Sequence, residues 1–106
     1  MKARPCKIIN SKGYVECTPE EATYLELNIP GPTGMLVLPV MIGGTRKGTN
    51  NLTWNGSVDM PTLKPSVLTT GHNFKSHSWI NNGKIQFLSD SDHNLANQTV
   101  DLLDII

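Results

Sequence analysis

Ser76-His77-Ser78-Trp79-Ile80-Asn81-Asn82-Gly83-Lys84-Ile85-Gln86-Phe87-Leu88 carries the strongest local signal in the chain. Its two halves, SHSWI and KIQFL, alternate polar and apolar residues, the two-residue period of a strand with one buried face. Asn81-Asn82-Gly83 between them supplies residues that accept the positive φ angles of a tight hairpin turn. His77 and Trp79 then share one face of the first strand, while Ser78 and Ile80 point to the other. Downstream, Gln98–Leu102 reads as a last strand and Leu103–Ile106 as an apolar tail. Upstream, Pro61–Ser66 is an extended, proline-braced segment leading into Val67-Leu68, and Leu52–Trp54 before Asn55-Gly56 is a strand and turn. Met35–Met41 is an apolar run of strand length, in which Pro39 points to an edge or a bulge. Ile29–Gly34, with two prolines and two glycines, is a tight loop. Thr23–Leu27 alternates as a strand, and Lys7–Ile9 pairs with Gly13–Val15 in a first hairpin about Asn10–Lys12. Thr18-Pro19-Glu20-Glu21 has the form of a helix start, good for about one turn.

Composition agrees. Three alanines and four glutamates stand against 24 β-branched residues, and 26 Gly, Pro and Asn residues punctuate the short apolar runs. β-branched side chains lose rotamer freedom in helices and fit a pleated surface. The expected fold is mainly β: one small antiparallel β domain spanning residues 1–106, a sandwich or partly open barrel. It has roughly six to eight short strands and at most one or two helical turns. A chain of 106 residues is long enough to own a core without metal or disulfide.

Nine basic residues balance nine acidic ones and only 17% of residues are charged. A neutral chain lacks the net positive field of a dedicated nucleic-acid binder. No apolar run approaches the ~20 residues of a membrane span. Cys6 and Cys17 admit a disulfide, but the expected reducing, cytosolic location favours free thiols. The basic N-terminal and acidic C-terminal segments attract each other if the termini are close.

Candidate chemistry is scattered. Gly43–Asn51 (GGTRKGTNN) is a polar, glycine-rich loop that lacks the order of a phosphate-binding P-loop, because Arg46-Lys47 precedes Gly48. Arg46 and Lys47 make it a candidate for touching a partner. His77, Asp90 and His93 are the residues for an acid–base or weak metal centre, with hydrogen-bonded loop histidines as the competing reading. No serine lies in a Gly-x-Ser-x-Gly elbow, which leaves a hydrolase nucleophile without support. Trp54, Phe74, Trp79 and Phe87 are read as core rather than as base-stacking surfaces.

The ordered string Trp54-Asn55-Gly56, Pro61–Ser66, His77, Asn82–Asp90, His93, Leu95-Ala96 and Gln98-Thr99-Val100 resembles a small uncharacterised family of phages and prophages, sometimes labelled ammonia monooxygenase. Members carry a Cys/His pattern of zinc-ligand type. The corresponding positions here are Ile29, Pro32, Ser76, His77, Ser91 and His93, so the resemblance implies the family's fold with a vacated metal site: no metal and no cofactor. It also implies a non-catalytic phage-encoded protein that binds a host or phage protein, antagonism of a defence system such as CRISPR being one form of that activity. The alternatives are a small enzyme or weak metal centre built on His77, Asp90 and His93, and a virion or assembly component.

Overall fold

The computed structural model describes residues 1–11, 13–45, 47 and 50–105. Its strands are β1 (Ala3–Asn10), β2 (Gly13–Glu16), β3 (Tyr24–Ile29), β4 (Gly34–Ile42), β5 (Leu52–Trp54), β6 (Leu63–Gly71), β7 (Phe74–Asn81), β8 (Lys84–Phe87) and β9 (Thr99–Asp101). The 3₁₀ turn Pro19–Glu21 is the realised form of the expected helix start. The strands form one sheet in the order β2-β1-β3-β4-β5-β6-β7-β8-β9, and each pair is antiparallel except β4–β5. The expected mainly β, mostly antiparallel domain is what forms, as one nine-stranded sheet that does not close.

Alternation explains the layering. β3 (YLELNI) buries Leu25, Leu27 and Ile29 and turns Tyr24, Glu26 and Asn28 outward, while β8 buries Ile85 and Phe87. These side chains meet Ala3, Val40, Trp54, Leu63, Val67, Ile80 and Leu102 in one cluster, so the sheet curls around a single core. The chain ends are sewn together: Leu103 bridges to Asn28 of β3, the Ile105 N–H donates to the Met1 carbonyl at 2.8 Å, and Lys2 lies 3.9 Å from Asp101. The attraction between the charged termini is thus local and largely exposed, and adds little.

Turn chemistry sets the central hairpin. Asn82 (φ 51°) and Gly83 (φ 76°) close the Asn81↔Lys84 pair between β7 and β8. A side chain at residue 83 would also press on the Asp59 carbonyl at 3.2 Å, so glycine is required there twice over. Pro39 is neither at an outer edge nor in a bulge. The Val40 N–H is used toward Thr23, so the ring nitrogen of Pro39 faces the β5 side, where pairing begins only at Val40. Trp54 and Phe87 are buried as expected, but Trp79 is 42% exposed because it shares the outward face of β7 with His77. Cys6 and Cys17 are free thiols, and burial raises the pKa of both.

Leu27 is fully buried at the centre of this core, so Leu27→Ala is expected to cost about 2–5 kcal/mol in urea unfolding. Ile9→Ala, at an exposed position, is expected to cost under ~0.5 kcal/mol. Equal costs would mean that the cluster is not the stabilising core.

Candidate active site

The outward face of β6 and β7 collects the polar chemistry. β6 carries an irregularity against β7: a four-residue step from Leu63 to Val67 is set against a two-residue step from Ile80 to Ser78. The extra residues fall at Lys64-Pro65-Ser66, where proline is tolerated because the regular ladder is interrupted. The bulge aims Ser66 at its neighbour. Its Oγ lies 2.9 Å from Nε2 of His77, which projects from β7 opposite Leu68.

The other ring nitrogen of His77 meets Asp90. Nδ1 lies 2.9 Å from Oδ2 and 3.2 Å from Oδ1. An ionised carboxylate only accepts hydrogen bonds, so Nδ1 of the neutral ring holds the proton and Nε2 presents its lone pair to the Ser66 hydroxyl. That is the tautomer a general base needs. The hydrogen bond from His77 holds the Asp90 carboxyl below its ordinary pKa, and Lys75, whose Nζ is 3.9 Å from Oδ2, acts in the same direction.

Asp90 reaches His77 because the segment after β8 is laced to β7. The Ser91 hydroxyl accepts from the His77 N–H and donates to the His77 carbonyl, each at 2.9 Å, while the Leu88 N–H donates to that same carbonyl at 2.8 Å. Further along, the Lys75 N–H donates to Oδ1 of Asp92, and the Asp92 N–H returns to the Lys75 carbonyl at 2.9 Å. Ser91 is buried, so its hydroxyl completes a backbone position that no strand of β8 reaches.

Of the residues singled out from the sequence, His77 and Asp90 come together and His93 does not join them. The Leu95 N–H donates to Nδ1 of His93 at 3.2 Å, which leaves the ring proton on Nε2, and this donates to Ser76 Oγ at 3.2 Å. With both nitrogens committed and its ring edge-on to Phe87 at 4.7 Å, His93 is a packing residue. Of the positions of the zinc-type pattern, Ser76 and His93 are thus joined by a hydrogen bond, while the Ser91 hydroxyl bonds the backbone of His77. Ile29 is buried at the end of β3 and Pro32 sits in the following turn. Among the described residues no three His, Cys, Asp or Glu side chains are grouped to hold a metal ion. Arg46 lies outside the described residues; Lys47 is exposed in a turn.

The residue missed by sequence reasoning is Ser66. The elbow motif sought for a nucleophile belongs to a strand-to-helix turn, whereas Ser66 sits on a bulge. The available signal was Pro65, since one place where a strand tolerates proline is a bulge, and a bulge re-aims a neighbouring side chain.

A groove of about 430 Å³ lies farther along β6 and β7, with Thr62, Lys64, Trp79, Asn81 and Gln86 among its lining residues; Ser66, His77 and Asp90 do not line it. Leu68, 59% exposed, lies on the other side of Ser66 along the same strand face. No helix among the described residues is long and apolar enough to cross a membrane.

Comparison with known proteins adds one finding. The family model described as "Bacterial ubiquitination-like system serine protease (BubE)" matches residues 30–88, more than half of the chain. No curated protein and no solved structure matches. The matched stretch contains Ser66 and His77, and Asp90 lies just beyond it. This overturns the expectation of a non-catalytic, phage-encoded binding protein acting against a host defence, and with it the expectation that the chain is not an enzyme.

The bond to His77 gives a pH signature. A carboxyl whose pKa is lowered by folding stabilises the fold above its unfolded pKa, and that contribution is lost as pH falls through its folded pKa. In a carboxyl-carbon NMR titration, Asp90 is expected to have its midpoint below that of the same residue in the urea-unfolded chain. Coincident midpoints would show that the pair does not form in solution.

Proposed function

The chain belongs to the BubE family, described as the serine protease of a bacterial ubiquitination-like system, and from that premise we propose that it is a serine peptidase with Ser66 as nucleophile, His77 as general base and Asp90 as the residue that orients the base. The hydrogen-bonded order Ser66–His77–Asp90, with 2.9 Å at each link, carries this reading. Such a constellation is recognised by geometry and roles rather than by order in the chain or by fold.

The steps follow from the tautomer. Ser66 Oγ attacks the scissile carbonyl carbon as its proton passes to Nε2 of His77, and the imidazolium so formed is stabilised by the Asp90 carboxylate. The tetrahedral intermediate collapses, the C–N bond breaks, and His77 returns the proton to the leaving amine. Water then attacks the acyl-Ser66 ester, again losing its proton to Nε2, and the acid product leaves with the serine restored. Ser91 is a positioning residue in this scheme, since it fixes the backbone from which the imidazole projects and its neighbour supplies the carboxylate.

Two features favour a polypeptide over a small ester or amide as substrate. The site is an open sheet face flanked by exposed Leu68 and Trp79, the kind of apolar surface a polymer covers. The family's description also places its protease in a ubiquitination-like system, whose reactants are proteins. A protein partner is therefore part of the reading, as the substrate.

A fluorophosphonate probe, which reacts with activated serines, is expected to leave one adduct, located on Ser66 by mass spectrometry. Ser66→Ala is expected to abolish labelling, and Ser66→Ala and His77→Ala are each expected to lower kcat/KM by on the order of 10³-fold or more. Labelling that survives Ser66→Ala, or an adduct on another serine, would remove Ser66 from the mechanism.

A further inference from the structure

β6 runs on past its partner. Its pairing with β5 consists of Trp54↔Leu63 and Thr53↔Lys64, yet the strand continues to Gly71. The direction of its backbone groups beyond Lys64 can be read from β7. Leu88 and Ser91 take the N–H and C=O of His77, and Asp92 takes those of Lys75, so both residues turn their backbone away from β6. Their cross-strand partners, Leu68 and Thr70, are then the non-hydrogen-bonded pairs of the ladder. In an antiparallel pair such residues send N–H and C=O outward, to the side opposite their partner. Among the described residues nothing pairs with them there.

We propose that the extended chain flanking the scissile bond of a polypeptide substrate docks on this edge as an added β-strand, bonded to the backbone of Leu68 and Thr70, so that its scissile carbonyl meets Ser66. The proposal rests on the serine peptidase reading and deepens it by assigning how the substrate is held.

Three observations support it. The triad runs across the strands, from Asp90 beyond β7 through His77 on β7 to Ser66 on β6. Its open end is the side of Ser66 away from His77, which is the side of the unpaired edge. Next, Leu68 and Thr70 present their groups about 7 Å apart, the spacing at which alternate residues of an extended chain offer theirs. Finally, the edge is unguarded. Natural edges are blunted with lysine, proline or shortness. The outer strands β2 and β9 have only four and three residues and carry Glu16 and Asp101. Lys64-Pro65 stop short of Val67–Gly71, which contains no charge and no proline. Such an edge recruits peptides through their main chain, with limited demand on sequence.

The test uses proline as an N–H deletion. The whole chain is incubated with a random decapeptide mixture, and a cleaved peptide is identified by mass spectrometry and resynthesised. Leu68→Pro and Thr70→Pro remove donors that bond nothing in the free protein, so the melting temperature is expected to stay close to that of the unaltered chain while kcat/KM for the peptide falls about tenfold or more. Thr69→Pro instead breaks the β6–β7 ladder and is expected to lower the melting temperature strongly. On the substrate side, N-methylation of single amides is expected to block cleavage at alternate positions on one side of the scissile bond and to spare those between. Cleavage indifferent to every N-methylation, with unchanged kcat/KM in Leu68→Pro, would overturn the docking edge alone. Equal cleavage by Ser66→Ala, or none by the unaltered chain, would overturn the peptidase reading and the docking with it. Sedimentation showing a dimer that Leu68→Pro dissolves would assign the edge to a second copy of the chain and overturn the proposal.

Discussion

The hydroxyl of Ser91, bonded at once to the N–H and the C=O of His77, holds together what the rest of the site needs. A residue in the middle of an antiparallel strand presents its backbone groups to one neighbour only. For His77 that neighbour is not β8, which ends at Phe87, but the irregular segment that follows it. By standing in for a strand, Ser91 both satisfies a partly buried backbone position and brings the preceding residue, Asp90, level with the imidazole. The cross-strand order of the triad is therefore a consequence of sheet geometry: serine, histidine and aspartate are supplied by successive neighbours across the sheet.

The same geometry separates two histidines that look alike in the sequence. His77 and His93 each meet a serine hydroxyl, at 2.9 and 3.2 Å. What distinguishes them is the partner of the second nitrogen. A carboxylate at Nδ1 makes His77 an acceptor toward its serine, whereas a backbone N–H at Nδ1 makes His93 a donor toward Ser76. Only the first arrangement can withdraw a proton. Burial reinforces the division: Ser76 points into the domain with Ser78 and Ile80, and Ser66 stands on the outward face with His77 and Trp79.

An open β-sheet face is an economical place for polypeptide chemistry. A bulge aims the Ser66 hydroxyl at His77 without a helix or an elbow turn, and beyond Lys64 the strand is unpaired on the β5 side among the described residues. The irregularity that displays Ser66 against β7 thus lies where pairing with β5 ends and the unpaired edge begins. The neutral overall charge fits recognition by main-chain pairing and local contacts rather than by a long-range field.

By itself, the sequence determined the β class, the Asn82-Gly83 hairpin, the face shared by His77 and Trp79, and most strand positions, because these follow from alternation and turn chemistry over a few neighbouring residues. It also exposed His77 and Asp90 as chemically interesting, though beside His93, which has no part in the triad. Only the tertiary structure decided the nine-stranded order, the parallel β4–β5 pair and the placement of Ser66 against His77. Ser66 and His77 are eleven residues apart and Asp90 lies thirteen beyond His77, so no local pattern links them. They meet because a two-residue offset in β6 and a hydroxyl-bridged segment after β8 are fixed by cross-strand hydrogen bonds, and strand register is a property of pairs of segments that neither one carries alone.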